Sequence, residues 1–340
     1  MRTTFRTAFL SLLTTSAGLA ACAVDTRSIE RPVIGGAPTP AGQYPGIGAL
    51  MLASQPPGMQ VSCTGTLIAP DVVLTAAHCV DPLFIGNEVP GFTLDHTPHM
   101  GTPAVVAGSR TVAHPMFDLE SDPGTGPGTW YDIALLVLAT PITSVEPIAL
   151  PGPAEAALLD AGDVVDLVGY GRTSNATFDY GVKFNAQAPI VATSAGELQI
   201  SNPGDPQNCN GDSGGPALIE LGGLQRVVGV VSRSALSSEC TDGGIDTRVD
   251  HYLAWIEEQA PQVCTPPEPG CGVAPPDAAP PDAAPPAPGS DAGIGGGGDG
   301  DGDGGGCCSS GRTGAGGRLV LALGVGLVLA ARRRRRRPRA

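Results

Sequence analysis

The sequence has few basic residues outside its two ends. Of the 19 lysines and arginines, two lie in the first six residues and nine lie at or after Arg312. The stretch between them carries eight basic residues against all 33 acidic ones. A body this acidic repels nucleic acid and anionic membrane surfaces, so we expect no nucleic-acid partner. The basic C-terminal run is therefore a separate device.

Long hydrophobic runs are also missing. The apolar run at residues 319–331 would span ~20 Å as a helix, which is short of the ~30 Å hydrocarbon core of a bilayer. Near the N terminus, Arg2 and Arg6 precede a mostly apolar stretch at residues 7–21 that ends in small residues. This stretch is typical of an export signal that is cleaved, and it is too short for a membrane span.

The sequence contains no Cys-x-x-Cys pair of the kind that indicates a zinc site. We therefore predict no metal site and no cofactor. His96 and His99 could hold a metal, but no further ligands cluster near them in the sequence, which favours a solvent loop. Because exported thiols oxidise, cysteines in the ordered part of the chain are expected to form disulfides, whereas Cys307 and Cys308 of the nine belong to the tail. The three pairs that could bridge are Cys63 with Cys79, Cys209 with Cys240, and Cys264 with Cys271.

Helical periodicity is scarce between residues 33 and 259. Short apolar runs of strand length occur there between turn residues, for example at residues 72–74, 133–138, 164–168 and 227–231. Many short strands predict an all-β sandwich or barrel. The exception is HYLAWIEEQ at residues 251–259, which predicts a short terminal helix.

The run GDSGGP at residues 211–216 predicts a nucleophile. Acyl transfer needs a nucleophile beside backbone N–H groups that point at the developing oxyanion. Glycines on both sides of Ser213 permit the strained turn that exposes a serine in this way. A serine between glycines is usually a plain loop, but six residues in this order after Cys209 are a strong signal.

Two further segments supply candidate partners for Ser213. His78, in LTAAHC at residues 74–79, follows an apolar strand and is suited to proton transfer near neutral pH. Asp132 opens a strongly apolar run and would be costly to bury without a partner. A hydrogen bond from His78 would satisfy Asp132 and fix the imidazole tautomer.

These segments, in the order His, Asp, Ser, resemble the chymotrypsin/trypsin family of serine proteases over residues 33–259. Supporting matches are VIGG at 33–36, CTGTLI at 63–68, HP at 114–115 and GYG at 169–171. The resemblance implies an all-β fold of two six-stranded antiparallel β-barrels with a short C-terminal helix. It also implies peptide or protein substrates, the disulfides Cys63–Cys79 and Cys209–Cys240, and an oxyanion hole at the N–H groups of Gly211 and Ser213.

The N-terminal side of this segment departs from the family pattern. Relatives are cut after a basic residue, and the freed amine pairs with the acid before the nucleophile. Here that switch would be Val33 with Asp212, but Pro32 precedes Val33 and hinders a trypsin-like cut after Arg31. Activation therefore needs another protease, or it does not occur.

The substrate pocket departs from the family as well. Gln207 stands six residues before Ser213, where trypsins have Asp. Asp246 could restore a preference for Arg or Lys from the neighbouring strand, or it could pair with Arg248 or Arg233 and play no part in selection. Ser232, Arg233 and Ser234 replace a typical Ser-Trp-Gly, which could narrow the pocket mouth or favour acidic residues upstream of the cut.

The two ends resemble anchoring devices of Gram-negative bacteria. LAAC at residues 19–22 resembles a lipobox with Cys22 as the lipidated residue, the alternative being ordinary signal cleavage nearby. Cys307 and Cys308, the short apolar run and the arginines resemble the sorting tails of myxobacterial surface proteins, the alternative being an unprocessed single-span anchor. An exported protein held at the outer membrane or cell surface, or released from it by processing, is expected.

The predicted organisation has five parts. They are a signal peptide at 1–21, a propeptide or linker at 22–32, a protease domain at 33–260, a Pro/Ala/Asp- and Gly-rich linker at 261–306, and a sorting tail with a short transmembrane helix and an arginine cluster at 307–340. The leading function is serine endopeptidase. The alternative, an inactive surface binding or adhesion module on a protease scaffold, is disfavoured because such relatives normally lose part of the triad.

Overall fold

The computed structural model describes residues 33–121, 123–172, 180–236 and 240–263. These residues all belong to the first of two units of the chain, residues 1–278. The predicted signal peptide, propeptide and sorting tail lie outside the described residues, and so does the predicted linker from residue 264 onward, together with Cys22, Cys264, Cys271, Cys307 and Cys308. In the described part, no helix is both long enough and apolar enough to cross a bilayer.

Two antiparallel sheets build the fold, which confirms the predicted all-β architecture. The first sheet has six strands in the order β5-β2-β3-β4-β7-β6. Their bounds are β2 Ile47–Met51, β3 Val61–Ala69, β4 Val72–Thr75, β5 Gly91–Thr93, β6 Gly108–Ala113 and β7 Ala134–Leu138. A bridge between Phe92 and Val106 brings its two edges together.

The second sheet has the order β1-β9-β10-β13-β12-β11-β8 and closes through an additional pairing of β8 with β9. Its bounds are β1 Ala37–Pro38, β8 Val164–Gly169, β9 Phe184–Thr193, β10 Glu197–Ile200, β11 Pro216–Leu221, β12 Leu224–Ser234 and β13 Gly244–Arg248. The two-residue β1 joins the edge of β9, so six longer strands form the closed sheet.

Among the described residues, helix is confined to short segments. These are α1 Pro82–Ile85, α2 Pro153–Ala156 and α3 Leu253–Gln259, together with single 3₁₀ turns at His78–Val80 and Asp250–Tyr252. The predicted terminal helix is therefore present as a 3₁₀ turn continued by α3. Tyr252 and Ile256 are buried in it, and Trp255 is half-buried against them.

Two large apolar clusters lie inside the fold, and the first takes in residues of both sheets, since Val168, Leu218 and Val230 of the second sheet belong to it. The first core gathers Leu50, Leu67, Leu74, Phe92 and Leu135, and Ile256 of α3 packs into the same cluster. The second core is separate and includes Val33, Val165, Leu167, Leu198 and Val228. The two sheets therefore pack against each other, and the predicted site residues come from both of them.

Candidate active site

The histidine and aspartate predicted from the sequence meet at one end of the first sheet. β4 and β7 pair in antiparallel register, with Thr75 opposite Ala134. His78 follows β4 by three residues, and Asp132 precedes β7 by two. The end of one strand therefore lies beside the start of the other, which brings the two side chains into contact although 54 residues separate them.

The Asp132 carboxylate is fully buried and accepts three hydrogen bonds. Its Oδ2 lies 2.7 Å from Nδ1 of His78 and 2.6 Å from Oγ of Ser232, which donates to it. Its Oδ1 accepts from the backbone N–H of His78 at 2.9 Å. The Nδ1 contact requires a proton on Nδ1, so Nε2 of the neutral ring is free to accept one.

The attraction between His78 and the Asp132 carboxylate shifts the pKa values of both groups. Burial disfavours the charged forms, but the Asp132 carboxylate outweighs it and raises the pKa of His78 above its ordinary value. Burial likewise acts against the Asp132 anion, yet His78 and the hydroxyl of Ser232 hold the pKa of Asp132 below its usual range. Asp132 is therefore ionised whenever His78 is available as a base.

The backbone before Asp132 is strained. Tyr131 has φ +59°, a left-handed conformation that non-glycine residues rarely adopt. The ring of Tyr131 stacks on His114 at 5.0 Å, and His114 also packs against Tyr252 and Trp255. This aromatic cluster holds the turn that aims Asp132 at His78.

Ser213 lies on a turn that is anchored to both sheets. Its carbonyl accepts from the N–H of Thr64 in β3 at 2.8 Å, and the N–H of Gly214 donates to Val231 in β12 at 2.8 Å. Gly214 has φ +79°, and a Cβ there would lie 2.1 Å from Oγ1 of Thr75. Only glycine fits this close approach, which explains the residue after the serine.

The N–H groups that flank Ser213 are available to a ligand. Gly211 has φ +98°, and a Cβ there would lie 2.7 Å from the ring of Tyr180. Within the described part of the chain, neither the N–H of Gly211 nor that of Ser213 donates a hydrogen bond. Unpaired backbone donors beside a partly exposed serine can bind a developing oxyanion.

A cavity of about 710 Å³ joins these groups. His78, Gly211 and Ser213 all line it, together with Ser232 and Ser234 of β12. Asp132 is buried behind His78 and does not reach the cavity wall. Ser213, His78 and the two N–H groups thus face one open space, while Asp132 is shielded from solvent.

Comparison with known proteins agrees with this geometry. The trypsin family matches residues 33–256, which is well over half of the chain. The chain belongs to the trypsin family.

Three similar proteins show how far the likeness extends. The chain is 30% identical over 233 residues to complement C1s subcomponent of Sus scrofa, 26% over 261 residues to transmembrane protease serine 5 of Homo sapiens, and 29% over 231 residues to tryptase of Mus musculus. These matches cover 59%, 69% and 59% of this chain and 32%, 53% and 79% of the relatives. The chain thus spans about a third and about a half of the first two relatives.

Two disulfides of the trypsin domain match the predicted pairs. Cys63–Cys79 links β3 to the turn that carries His78, and Cys209–Cys240 links the turn before Ser213 to the segment before β13. Sγ of Cys79 lies 3.6 Å from Nε2 of His78. Cys63–Cys79 therefore holds the segment that carries His78, and Cys209–Cys240 holds the segment that carries Ser213.

The predicted pocket residues of the trypsin domain separate into two groups. Ser232 and Ser234 line the cavity, whereas Gln207 and Asp246 are buried beneath its wall. Oε1 of Gln207 accepts from the N–H of Gly243 at 2.6 Å, so its amide is turned into the wall. Asp246 pairs with neither Arg248 nor Arg233, because Arg248 binds Asp250 and Arg233 binds Glu197.

Asp246 is the less ordinary of the two. It is fully buried, and neither of its carboxylate oxygens has a hydrogen-bond partner in the described residues. Burial alone raises the pKa of Asp246 to about 8. Asn208, which lines the cavity, has an amide that also lacks a partner among the described residues, and sequence reasoning did not single it out.

Arg233 lines the cavity, but its guanidinium is held in an ion pair. It donates to both oxygens of the fully buried Glu197, at 2.7 and 2.9 Å, and to the carbonyl of Gly126 at 3.2 Å. Glu197 also accepts from the N–H of Gly128. The charge of Arg233 therefore fastens residues 126–128 to β10 and β12, and it is not free to select acidic residues of a substrate.

Val33 and Asp212, the predicted activation pair, are both fully buried. Val33 belongs to the core of the second sheet, and the carbonyl of Ile34 accepts from the N–H of Gln207 at 3.0 Å. The Asp212 carboxylate accepts from the N–H groups of Gly171 and Cys209, each at 2.8 Å. Burial outweighs these two hydrogen bonds and raises the pKa of Asp212 to about 7.

Asp132→Asn tests the coupling of this carboxylate to His78. The amide removes the negative charge that raises the pKa of His78, and it can favour the wrong imidazole tautomer. We expect kcat for peptide hydrolysis to fall by about 10⁴-fold. The base must be neutral to act, so activity rises with pH through the pKa of His78, and this limb should move to lower pH in the variant. A variant that keeps both the parent kcat and the parent position of the rising pH limb would contradict the assignment.

Proposed function

We propose that this protein is a serine endopeptidase that hydrolyses peptide bonds through an acyl-enzyme at Ser213. The observation that carries the proposal is the Asp132–His78 hydrogen bond behind a cavity that exposes Ser213 and two unpaired N–H groups. Membership of the trypsin family supports it further. The chemistry needs no metal or cofactor, since base, nucleophile and oxyanion donors are all supplied by the chain.

In the proposed reaction, Oγ of Ser213 attacks the scissile carbonyl while Nε2 of His78 takes its proton. The N–H groups of Gly211 and Ser213 stabilise the oxyanion, and each such donor contributes roughly 10²–10³ in kcat. Asp132, held ionised, stabilises the imidazolium that forms. His78 then protonates the leaving amine, and water hydrolyses the acyl-enzyme by the reverse sequence.

Labelling with a fluorophosphonate tests this function directly. The protein should form one adduct, at Ser213, and the label should be absent from Ser213→Ala and strongly reduced in His78→Ala. Peptide turnover should fall to about 10⁻⁶ of the parent value in either variant, as expected for residues that act as a unit. An unlabelled, folded parent protein would instead favour a binding or adhesion module on a protease scaffold.

We further propose that Asp246 and Asn208 select substrates with a basic residue on the acyl side of the scissile bond. Alternate residues of a strand share a face, so Asp246 lies on the same face of β13 as Gly244, which lines the cavity. A Cβ on Gly244 would lie 4.0 Å from Oδ1 of Asp246. A guanidinium or ammonium that reached this level would supply the partner that the buried carboxylate lacks.

The raised pKa of Asp246 gives a test with a defined sign. Below about 8 the empty pocket holds a neutral carboxyl, and above about 8 it holds the anion that attracts a cation. The preference for Arg over Ala, measured as a ratio of kcat/KM, should therefore rise with pH through this range. In Asp246→Asn the ratio should be low and independent of pH, whereas Glu220→Gln, which changes an exposed acid on β11 that does not line the cavity, should behave as the parent. A ratio that is unchanged in Asp246→Asn would rule out the role.

For activation, we propose that cleavage before Val33 by another protease creates an amine that pairs with Asp212. The support is that Asp212 is buried with two backbone N–H partners and a pKa of about 7, so a cation nearby would stabilise its charged form. Val33 is already buried in the neighbouring core. Pro32 makes self-cleavage after Arg31 unfavourable, which calls for a separate activating protease.

A cut placed directly before Val33 should raise kcat/KM at least about tenfold over the intact chain, because breaking a buried ion pair costs about 3–5 kcal/mol. Asp212→Asn should abolish the gain. The control is the same cut that leaves one extra alanine before Val33, which moves the amine and should give no gain. Equal activity of all three cut proteins would contradict the switch. N-terminal sequencing of the protein from producing cells should then find Val33.

We also propose that the protein is exported to the outer membrane or cell surface of a Gram-negative bacterium. It is held there by a lipid on Cys22, by a C-terminal tail that is processed near Cys307 and Cys308, or by both. The support is sequence alone: the signal-like residues 1–21, the lipobox-like LAAC and the arginine-rich end. Cleavage before Val33 would separate the protease domain from a lipid on Cys22. The C-terminal tail would then be the remaining tether, and a cut upstream of Cys307 would release the enzyme.

A further inference from the structure

The catalytic cavity extends past His78 over a surface of exposed apolar side chains. Phe84 on α1 is 55% exposed, and Met59 in the loop between β2 and β3 is 70% exposed. Both line the same cavity as Ser213, and so do Leu52 and Val61. We call Met59 and Phe84, with Leu52 and Val61 behind them, the apolar shelf.

The apolar shelf lies on the leaving-group side of the scissile bond. In proteases of this family the strand equivalent to residues 232–234 pairs with the substrate backbone, and because Ser232 contacts Asp132, this strand is on the Asp132 side of His78. The leaving amine must instead face Nε2, which is the proton donor, and Nε2 lies 3.6 Å from Sγ of Cys79. The Cys63–Cys79 disulfide continues directly into Ser62 and Val61, and the ring of Phe84 meets that of His78 edge-on at 6.0 Å.

The shelf carries no charge of its own. Among the described residues that line this part of the cavity, the polar ones are the neutral Gln55 and Ser62. The two acids nearby are engaged with backbone: Asp81 caps α1 through the N–H of Leu83 at 2.8 Å, and Glu88 accepts from Ala53 and Ser54. A charged side chain entering here would lose water without gaining a partner, whereas an apolar one would gain contact area.

We propose that Phe84 and Met59 form a subsite for a large apolar side chain immediately after the scissile bond. The inference rests on the proposed endopeptidase function and names the leaving-side preference of that site. Continuity of the shelf with the catalytic cavity identifies its occupant as the leaving segment of the substrate. Met59 and Phe84 are large apolar side chains that lie exposed beside His78. A bound substrate would cover them, which explains their exposure in the free protein.

Partition of the acyl-enzyme provides the test. A peptide methyl ester acylates Ser213, and the acyl group then transfers either to water or to an added amino-acid amide that binds on the leaving side. The ratio of transfer to leucinamide over glycinamide should be at least about tenfold in the parent, and transfer to aspartic acid amide should be weaker than either. Because the ratio is set after acylation, it does not depend on how fast Ser213 reacts.

The variants separate the shelf from general surface effects. Phe84→Ala with Met59→Ser should bring the leucinamide and glycinamide rates to within about twofold of each other. Leu83→Ala is the matched control, since Leu83 is on the same helix and 71% exposed but does not line the cavity, and it should keep the parent ratio. If Phe84→Ala lowers the unfolding midpoint, Met59→Ser alone, on a separate loop, should still reduce the ratio.

Two results would overturn the inference in distinguishable ways. Normal ester hydrolysis with equal transfer to leucinamide and glycinamide in the parent would overturn the apolar subsite and leave the endopeptidase intact. A folded parent that hydrolyses no ester and takes no fluorophosphonate label would overturn both proposals together.

Discussion

The buried carboxylate of Asp132 is the constraint on which the site depends. A charged group without solvent contact needs partners, and Asp132 finds them in two separate sheets: His78 after β4 in the first, and Ser232 on β12 in the second. The oxygen of its own carbonyl also accepts from Thr247 of β13. Because these bonds come from both sheets, the packing of the two sheets determines the orientation of one imidazole. If either sheet shifts, Asp132 loses a partner and His78 loses its tautomer.

Two other fully buried acids differ from Asp132 in what surrounds them. Asp212 has two backbone N–H partners and a pKa of about 7, and Asp246 has no partner in the described residues and a pKa of about 8. Both therefore gain from a cation, whereas Asp132 is already ionised. Each acid is proposed to pair with a different cation. Asp132 pairs with the imidazolium of His78, Asp212 with the new N terminus, and Asp246 with a basic side chain of the substrate. Burial of a carboxylate without a neighbouring positive charge is costly, which is why we assign a cation to each of these two acids.

Sequence reasoning identified what is written in contiguous residues. Ser213 and His78 lie in motifs whose glycines and flanking cysteine carry their own physical reasons, and both predicted disulfides in the described part are present. The all-β architecture followed from the short apolar runs. The extra strand β1 could not be predicted, because two residues, one of them proline at a sheet edge, give no periodic signal.

Features that depend on strand register were not predictable in this way. The bond from Ser232 to Asp132 joins residues 100 apart, and the Arg233–Glu197 pair requires β10, β13 and β12 to lie side by side. Sequence reasoning left Arg233 as a possible selector of acidic substrates, and the structure assigns its charge to Glu197. Phe84 and Met59 lie on short segments without motif signals, so only their exposure beside the cavity distinguishes them.

The central claim is a covalent intermediate on Ser213, and peptide mapping of the acylated protein tests it most directly. The protein is mixed with an ester substrate at a pH below the pKa of His78, where protonation of the base slows deacylation, and is then denatured in acid. The account predicts the mass of the acyl group on the peptide that contains Ser213, in stoichiometric amount. Ester consumption with no adduct, or with an adduct on another residue, would contradict it.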